Sequence, residues 1–190
     1  SGTWTGSTTV NTGGGALAFN SAMTLAGQVT NNNYLLFNSG FGTTNTLTTG
    51  LNGSGITQFT SEALIGTRSG SGNIIFAENA TIGTLLGTGT ISISPGKTLT
   101  VNAGDYSGTL QGSGNLTKSS GGALYMRGPG AGGYTGTTTV NGGALAFDSS
   151  VTLAGQVTNN NFLLFNSGFG TTNTLTTGLD GSGFTEFTGE

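Results

Sequence analysis

A single long segment occurs twice in this chain, and no other feature restricts its fold as strongly. Residues 16–62 and 144–190 are each 47 residues long, and at a constant offset of 128 they differ at only eight positions. Three differences exchange an amide for the matching acid, as at Asn20 and Asp148, and three exchange one apolar residue for another. Because shape persists while charge drifts, the segment behaves as a structural module, and such a duplication is typical of repeat proteins.

The correspondence extends upstream of the long segment at a slightly different offset. Residues 4–10 match residues 134–140 at an offset of 130, so the duplicated unit comprises 4–62 and 134–190. The second copy stops at a position where the first copy continues. We therefore expect residues 1–190 to form a single solenoid segment of a longer repeat protein, with about one and a half units in this chain.

Glycine dominates the composition, whereas charged residues are scarce. Glycine accounts for 38 of the 190 residues, well above its ordinary share of about 7%, and 6% of the residues are charged. Low charge argues against intrinsic disorder, and 33% of hydrophobic residues is enough for a core of narrow layers. A net charge of −3 with four basic residues predicts no nucleic-acid partner and no attraction to anionic lipid.

The sequence also lacks two common structural elements. It has no cysteine, which excludes disulfides and thiolate metal sites. Its longest uninterrupted apolar runs, at 35–37 and 74–77, are only a few residues long, so we expect no membrane span in this segment.

Short alternating segments, separated by glycine, asparagine or aspartate, recur along the chain. Residues 90–94 and 98–101 alternate apolar and polar side chains, which is the period of a half-buried β-strand. No segment has the apolar spacing of an amphipathic helix. The intervening glycines and asparagines are typical turn residues. The sequence therefore predicts an all-β fold.

A shorter repeat lies within the long one. Gly121-Gly-Ala-Leu124 recurs after 21 residues, Gly70-Ser-Gly-Asn73 after 42, taken as two rungs, and Gly53-Ser-Gly55 after 17. A period near 20 that contains several short strands fits one rung of a parallel β-helix, or β-solenoid, with about 17–21 residues per rung. The 128-residue offset then spans six or seven rungs. The whole chain has about nine or ten rungs, which at ~4.8 Å each form a rod about 45 Å long.

One part of the chain resembles a known family. The carrying stretches are Tyr106-Ser-Gly-Thr-Leu-Gln-Gly-Ser-Gly-Asn-Leu-Thr-Lys118, Gly121-Gly-Ala-Leu124 and Gly133-Tyr-Thr-Gly-Thr-Thr-Thr-Val-Asn-Gly-Gly-Ala-Leu145. They are similar to the autotransporter-associated β-strand repeat, also called the passenger-associated transport repeat, of bacterial type V secreted proteins. The chain departs from the family pattern at 125–132, and a second partial instance covers 4–17. The resemblance implies a right-handed parallel β-helix passenger that is displayed on, or released from, the bacterial surface.

The residue types needed for most enzyme chemistry are absent or dispersed. Without histidine and cysteine, serine-histidine-aspartate catalysis, cysteine-histidine catalysis and most zinc sites are excluded. The acids are scattered, and three of them are amides in the other copy, an exchange that a catalytic acid would not survive. They are Glu62, Glu78, Asp105, Asp148, Asp180, Glu186 and Glu190. We predict no enzyme activity and no catalytic, cofactor-binding or metal-binding residue; a polysaccharide-acting enzyme on a β-helix is the weaker alternative.

Four other patterns each have a structural and a functional interpretation. Gly70-Ser-Gly72 lacks the lysine of a phosphate-binding loop and fits a solenoid corner. The asparagines at 31–33 and 159–161 fit turns or ladders along the rod, or else a ligand-contacting edge. The threonine clusters at 43–49 and 171–177 suggest either solvent-facing strands or an ice-binding surface. Aromatic residues beside turns are candidates for recognition or for stacking inside the rod, namely Trp4, Tyr106, Tyr125 and Tyr134.

These observations favour a structural function over a catalytic one. We expect a segment of a bacterial cell-surface or extracellular fibre, an autotransporter-like passenger stalk that spans distance and contacts a surface or matrix ligand. The alternative is a self-assembling extracellular filament, in which copies associate end to end or laterally through open sheet edges. An ice-binding protein is a weaker alternative. No cofactor is expected in any of these functions.

Overall fold

The chain coils into a rod of stacked turns. The computed structural model describes residues 1–128, 133–168 and 171–188, and the regular structure in these ranges is entirely β-strand. The strands pair in parallel and form a β-solenoid of about nine turns with about 19 residues per turn. The predicted all-β parallel β-helix and its rung length are therefore confirmed. The right-handed coiling that the resemblance implies stays a prediction.

Twenty-five strands make up the solenoid in the described part of the chain. In chain order they are β1 (Gly2–Trp4), β2 (Thr8–Val10), β3 (Leu17–Phe19), β4 (Met23–Leu25), β5 (Val29–Asn31), β6 (Tyr34–Phe37), β7 (Thr44–Leu47), β8 (Leu51–Asn52), β9 (Ile56–Phe59), β10 (Glu62–Arg68), β11 (Ile74–Phe76), β12 (Ala80–Gly87), β13 (Thr90–Ile93), β14 (Thr98–Tyr106), β15 (Thr109–Gly112), β16 (Asn115–Lys118), β17 (Ala123–Met126), β18 (Thr138–Val140), β19 (Ala144–Phe147), β20 (Thr152–Leu153), β21 (Val157–Asn159), β22 (Phe162–Phe165), β23 (Thr174–Leu175), β24 (Leu179–Asp180) and β25 (Phe184–Phe187).

Each turn contributes one strand position to each of three faces that run along the rod. The first face begins with β1 and β4, the second with β2 and β5, and the third with β3 and β6. The long strands β10, β12 and β14 pass from the first face to the second without a break, because their first halves continue the column of β7 and their second halves that of β8. The first two faces therefore form one sheet of 17 strands, and β3 to β15 on the third face form a separate sheet of six.

The length of a turn varies along the rod although the stacking is continuous. Ile65 pairs with Ile82, an offset of 17 residues, whereas Thr24 pairs with Thr46, an offset of 22. The extra residues lie in the corners between faces, where loop length does not disturb the pairing of the strands. The predicted range of 17–21 residues therefore describes most turns, and the longest turns exceed it by one residue.

The two copies of the duplicated segment lie on different faces. β3 lies on the third face of the first turn, and its sequence equivalent β19 lies on the second face of the eighth turn. Twenty strand positions separate them when the bridge between Gly112 and Tyr134 is counted as the third-face position of the seventh turn. Since three positions make a turn, the 128-residue offset spans six and two-thirds turns. Equivalent residues are thus rotated by a third of a turn about the rod axis.

Stacked phenylalanine rings fill part of the interior. Phe37 and Phe59 lie with ring centroids 4.7 Å apart and planes nearly parallel, and Phe19 and Phe76 extend this stack at 5.2 and 5.5 Å. The stack forms because in-register parallel pairing places equivalent inward side chains on top of each other. The second copy repeats it on the second face, where the rings follow the order Phe147, Phe165 and Phe187.

The asparagines of the duplicated segment point into the rod. The side-chain amide of Asn31 donates to the Ile56 carbonyl at 2.8 Å and to the Thr57 hydroxyl at 2.9 Å, while its oxygen accepts from the Asn33 backbone amide at 3.0 Å. Asn159 makes the same three bonds at the same three distances on a different face, with Phe184, Thr185 and Asn161 as its partners. These asparagines are therefore structural residues of a turn, as their pattern predicts.

Glycine is required where one corner stacks closely on the corner below. Gly70 has φ +93°, and a Cβ built there would lie 2.5 Å from the Gly53 carbonyl oxygen. The 17-residue spacing between these glycines is therefore one turn, and the predicted corner is confirmed. The spacing of 42 between Gly70 and Gly112 is not two turns, because Gly112 pairs with Ile93 on the third face, one face beyond the Gly70 corner.

Candidate interaction surface

The acids do not form a catalytic or metal-binding group in the described part of the chain. Glu78 pairs with Lys97 at 2.6 Å, and Arg127 bridges Asp105 at 2.6 Å and Asp148 at 2.5 Å. Within the described ranges there is no group of three acids that could hold a metal ion and no helix long and apolar enough to cross a membrane. Glu190 lies outside these ranges. The remaining acids stand apart and are Glu62, Asp180 and Glu186.

Two of the four cations lie inside the rod, a placement that the sequence does not reveal. Arg68 is 1% exposed and donates to the Gly70 and Leu86 carbonyls at 3.0 Å each and also to the Gly72 carbonyl. Lys118 is fully buried and donates to the Ser120 carbonyl at 2.5 Å and the Gly142 carbonyl at 2.8 Å. Neither cation contacts an acid in the described residues, so backbone carbonyls of adjacent turns take the place of a counter-ion.

Burial shifts the protonation equilibria of these interior groups. It lowers the pKa of Lys118 and of Arg68, and the nearby Tyr106 partly offsets the effect at Arg68. It raises the pKa of Tyr106 and of Tyr134 to about 12 in each case. In all four groups removal from water disfavours the charged form. Because both buried cations are inaccessible, the acids outnumber the basic residues on the surface by more than the net charge suggests.

The four aromatic candidates divide into two buried and two exposed residues. Tyr106 is fully buried and donates to the Gly89 carbonyl at 3.1 Å, and Tyr134 is 2% exposed with its hydroxyl bonded inside the rod. Trp4 and Tyr125 are exposed, and the Arg127 guanidinium lies over the Tyr125 ring. Phe41, which sequence reasoning missed, is the most exposed large apolar residue of the described chain at 85%.

A file of threonines runs along the outside of the first face. Register places eight threonines at the middle outward position of successive first-face strands, interrupted by Leu64 in the fourth turn and followed by Asp180 in the last. They are Thr3, Thr24, Thr46, Thr81, Thr100, Thr117, Thr139 and Thr158. The sequence does not reveal this file because its members are separated by turns of unequal length.

The threonine clusters noted in the sequence do not combine into one array. Thr46 belongs to β7 on the first face, whereas its equivalent Thr174 belongs to β23 on the third face. The rotation by a third of a turn separates the two clusters around the rod. A continuous ice-binding plane formed by both clusters is therefore inconsistent with the geometry.

Two furrows parallel to the rod axis flank the threonine file. The first has a volume of about 440 Å³ and lies between the middle file and an outer file at the start of each strand. The second has a volume of about 230 Å³ and lies toward the bend into the second face, where Gly66 and Gly83 leave its wall low. The outer file of the first furrow consists of Thr44, Glu62, Asn79 and Thr98, and its inner file of Leu64, Thr81 and Thr100.

Comparison of this chain with protein-family models, with curated proteins and with solved structures found no match.

Proposed function

We propose that this chain is a segment of a bacterial cell-surface or extracellular fibre in which it acts as a stiff spacer. One observation carries the proposal: the duplicated segment is offset by a whole number of strand positions, so each further copy lengthens the rod without changing its stacking. Long tandem arrays of one design suit reach and spacing better than catalysis. The resemblance to passenger repeats of type V secreted proteins supports an exported location.

The interior is consistent with a load-bearing rod. Hydrogen bonds from buried side chains cross between turns, as when Lys118 reaches the carbonyl of Gly142 and Asn31 reaches the hydroxyl of Thr57. Stacked aromatic rings extend through four consecutive turns from Phe19 to Phe76. Separation of neighbouring turns would break both kinds of contact together with the parallel backbone pairing.

Antibody labelling combined with an internal deletion tests this function. An antibody raised against the chain is applied to intact and to lysed cells of the bacterium that makes it. We expect labelling of intact cells and a fibre shortened by about 32 Å when residues 16–143 are deleted, since six and two-thirds turns at ~4.8 Å are removed. Labelling only after lysis, or an unchanged fibre length, contradicts the proposal.

End-to-end self-assembly is a second candidate function, and one comparison favours it. Phe187 is 56% exposed and Leu179 is 43% exposed at the last rung, whereas their sequence equivalents Phe59 and Leu51 are 0% and 3% exposed. In the first copy, β10 and β11 cover those positions. The last rung therefore presents an apolar sheet edge of the kind that pairs with another chain.

Electron microscopy of the isolated chain distinguishes a spacer from a filament. Fibres many times longer than a single rod support assembly, and monodisperse short rods contradict it. If fibres form, Phe187→Lys is expected to shorten them because it places a charge at the apolar edge. Tyr125→Lys is the matched control, since Tyr125 is also exposed but lies on the side of the rod.

A further inference from the structure

The first furrow has the size and the polarity of a binding site, although no function described so far uses it. Its volume of about 440 Å³ lies within the usual range of ligand sites, which is roughly 300–1,000 Å³. Hydroxyl, amide and carboxylate side chains form its outer wall at Thr44, Glu62 and Asn79. Its inner wall combines the Thr81 hydroxyl with the apolar surface of Leu64, which is 45% exposed.

An exposed aromatic ring stands at the corner beside this furrow. Lys97 Nζ lies 5.7 Å from the centroid of the Phe41 ring and 2.6 Å from the Glu78 carboxylate. Lys97 directly precedes Thr98 of the outer wall, and Phe41 lies three residues before Thr44. The ring therefore belongs to the margin of the furrow. An 85% exposed phenylalanine on a rigid solenoid offers a flat apolar platform that the fold itself does not use.

The charge of the furrow restricts what it can bind. Glu62 is the one ionised side chain among its lining residues, because Lys97 next to it is paired with Glu78. A polyanion would meet repulsion from Glu62 without a free cation to offset it. A polycation would gain one carboxylate only, over four turns. The polar and nearly uncharged lining therefore fits an uncharged partner that is rich in hydroxyl groups.

We propose that the first furrow binds an unbranched, uncharged polysaccharide that lies along the rod axis. Hydroxyl and amide groups that recur every ~4.8 Å match a linear polymer of sugar rings, whose repeat along the chain is of comparable length. Phe41 and Leu64 contact the apolar faces of the rings. Thr44, Asn79 and Thr81 exchange hydrogen bonds with the sugar hydroxyls. The proposal rests on the proposed function for its biological meaning, since it supplies the matrix ligand of the fibre.

Native gel electrophoresis of the isolated chain tests the proposal. The gels contain hydroxyethyl cellulose, arabinoxylan or laminarin as uncharged probes, or polygalacturonate as an acidic probe. We expect at least one uncharged polymer to retard the chain. Phe41→Ala and Thr81→Lys should each weaken that retardation about tenfold in apparent affinity. Thr158→Lys is the matched control, because Thr158 occupies the same file outside the furrow and should leave retardation unchanged.

Three outcomes overturn the proposal. They are no retardation by any uncharged polymer, equal losses from Thr81→Lys and Thr158→Lys, and stronger retardation by polygalacturonate than by the uncharged polymers. Thermal hysteresis of freezing that Thr81→Lys abolishes would assign the face to ice instead and likewise overturn it. The gel measures binding by the isolated chain, whereas antibody labelling measures display on cells, so the furrow and the proposed fibre function can fail separately.

Discussion

Buried cations are the residues by which this solenoid departs most from a purely apolar core. Lys118 connects the carbonyl of Ser120 on its own turn to that of Gly142 on the next turn. Arg68 performs a similar task at the corner of Gly70 and Gly72, with its guanidinium 5.5 Å from the centre of the Tyr106 ring. Carbonyl groups at corners lack strand partners, so an interior cation that binds several of them stabilises a corner that the backbone alone leaves incomplete.

Replacement of the buried lysine tests this role. Lys118→Met keeps the volume but removes the donor from two buried carbonyls, which should lower the free energy of unfolding by about 1–3 kcal/mol. Lys97→Met is the matched control; this exposed lysine is paired with Glu78, and its loss should cost no more than about 1 kcal/mol. Urea denaturation followed by circular dichroism measures both. Equal effects would contradict an interior role for the Lys118 ammonium.

Two buried tyrosines predict a loss of stability at alkaline pH. Tyr106 and Tyr134 have a pKa of about 12 in the fold against 10.0 in the unfolded chain. Their contribution is complete below pH 10 and is lost as pH rises toward 12, because the unfolded chain releases its phenolic protons first. The expected decrease is about 2–3 kcal/mol for each tyrosine. The lowered pKa of Lys118 acts in the opposite direction, but only below its unfolded value of 10.5.

The urea midpoint measured between pH 8 and pH 12 checks this prediction. Tyr106→Phe should flatten the decline by about half, since one of the two shifted phenols is removed. The variant should also be less stable by about 1 kcal/mol at every pH because it loses the hydrogen bond to the Gly89 carbonyl. A decline that is as steep in the variant as in the parent chain would show that Tyr106 is not its cause.

At the scale of a strand and its neighbours, the context decides what an identical sequence contributes. Phe59 and Phe187 occupy equivalent positions in the two copies. Phe59 lies between Phe37 and Phe76, with centroid distances of 4.7 and 5.5 Å, whereas Phe187 contacts one ring, that of Phe165, at 4.8 Å. The same residue is therefore fully buried in one copy and 56% exposed in the other.

A matched pair of substitutions measures this difference. Phe59→Ala removes a ring from the middle of a stack and should lower the free energy of unfolding by about 3–5 kcal/mol. Phe187→Ala removes a ring from the last rung and should cost about 1 kcal/mol or less. Thermal denaturation of both variants, with hydrogen exchange to locate the affected turns, provides the measurement. Similar costs for the two would contradict the stacking at Phe59.

The sequence predicts the strands and the stacking but not the arrangement around the axis. Alternating segments such as Thr90–Ile93 indicate strands locally, and the 21-residue spacing of Gly121 and Gly142 indicates one turn. The unequal loops between strands hide which turn and which face a residue reaches. For that reason the threonine file, the furrow and the rotation of the copies emerge only from the strand register. Exposure of Phe41 likewise depends on a corner that no local pattern defines.

For the whole molecule, the offset of six and two-thirds turns determines how an array of units would look. Each unit turns the equivalent surface by one third of a revolution, so a lateral site belonging to one unit faces a new direction in the next. Three units return it to the same side after twenty turns, about 95 Å along the axis at ~4.8 Å per turn. A fibre of such units therefore presents each lateral site on three sides instead of one.

Gold labelling of an engineered array tests this geometry. Three 128-residue units are joined in tandem, and cysteine replaces Thr46 and its equivalents, which are then the only cysteines because the chain has none. We expect successive labels to be rotated by a third of a turn when the rods are imaged by electron microscopy. In a control chain labelled at Thr46 and Thr158, both labels should lie on one side, since these residues share the first face. Labels of the array that fall on a single line along the rod would mean that the unit spans a whole number of turns, contrary to the strand register.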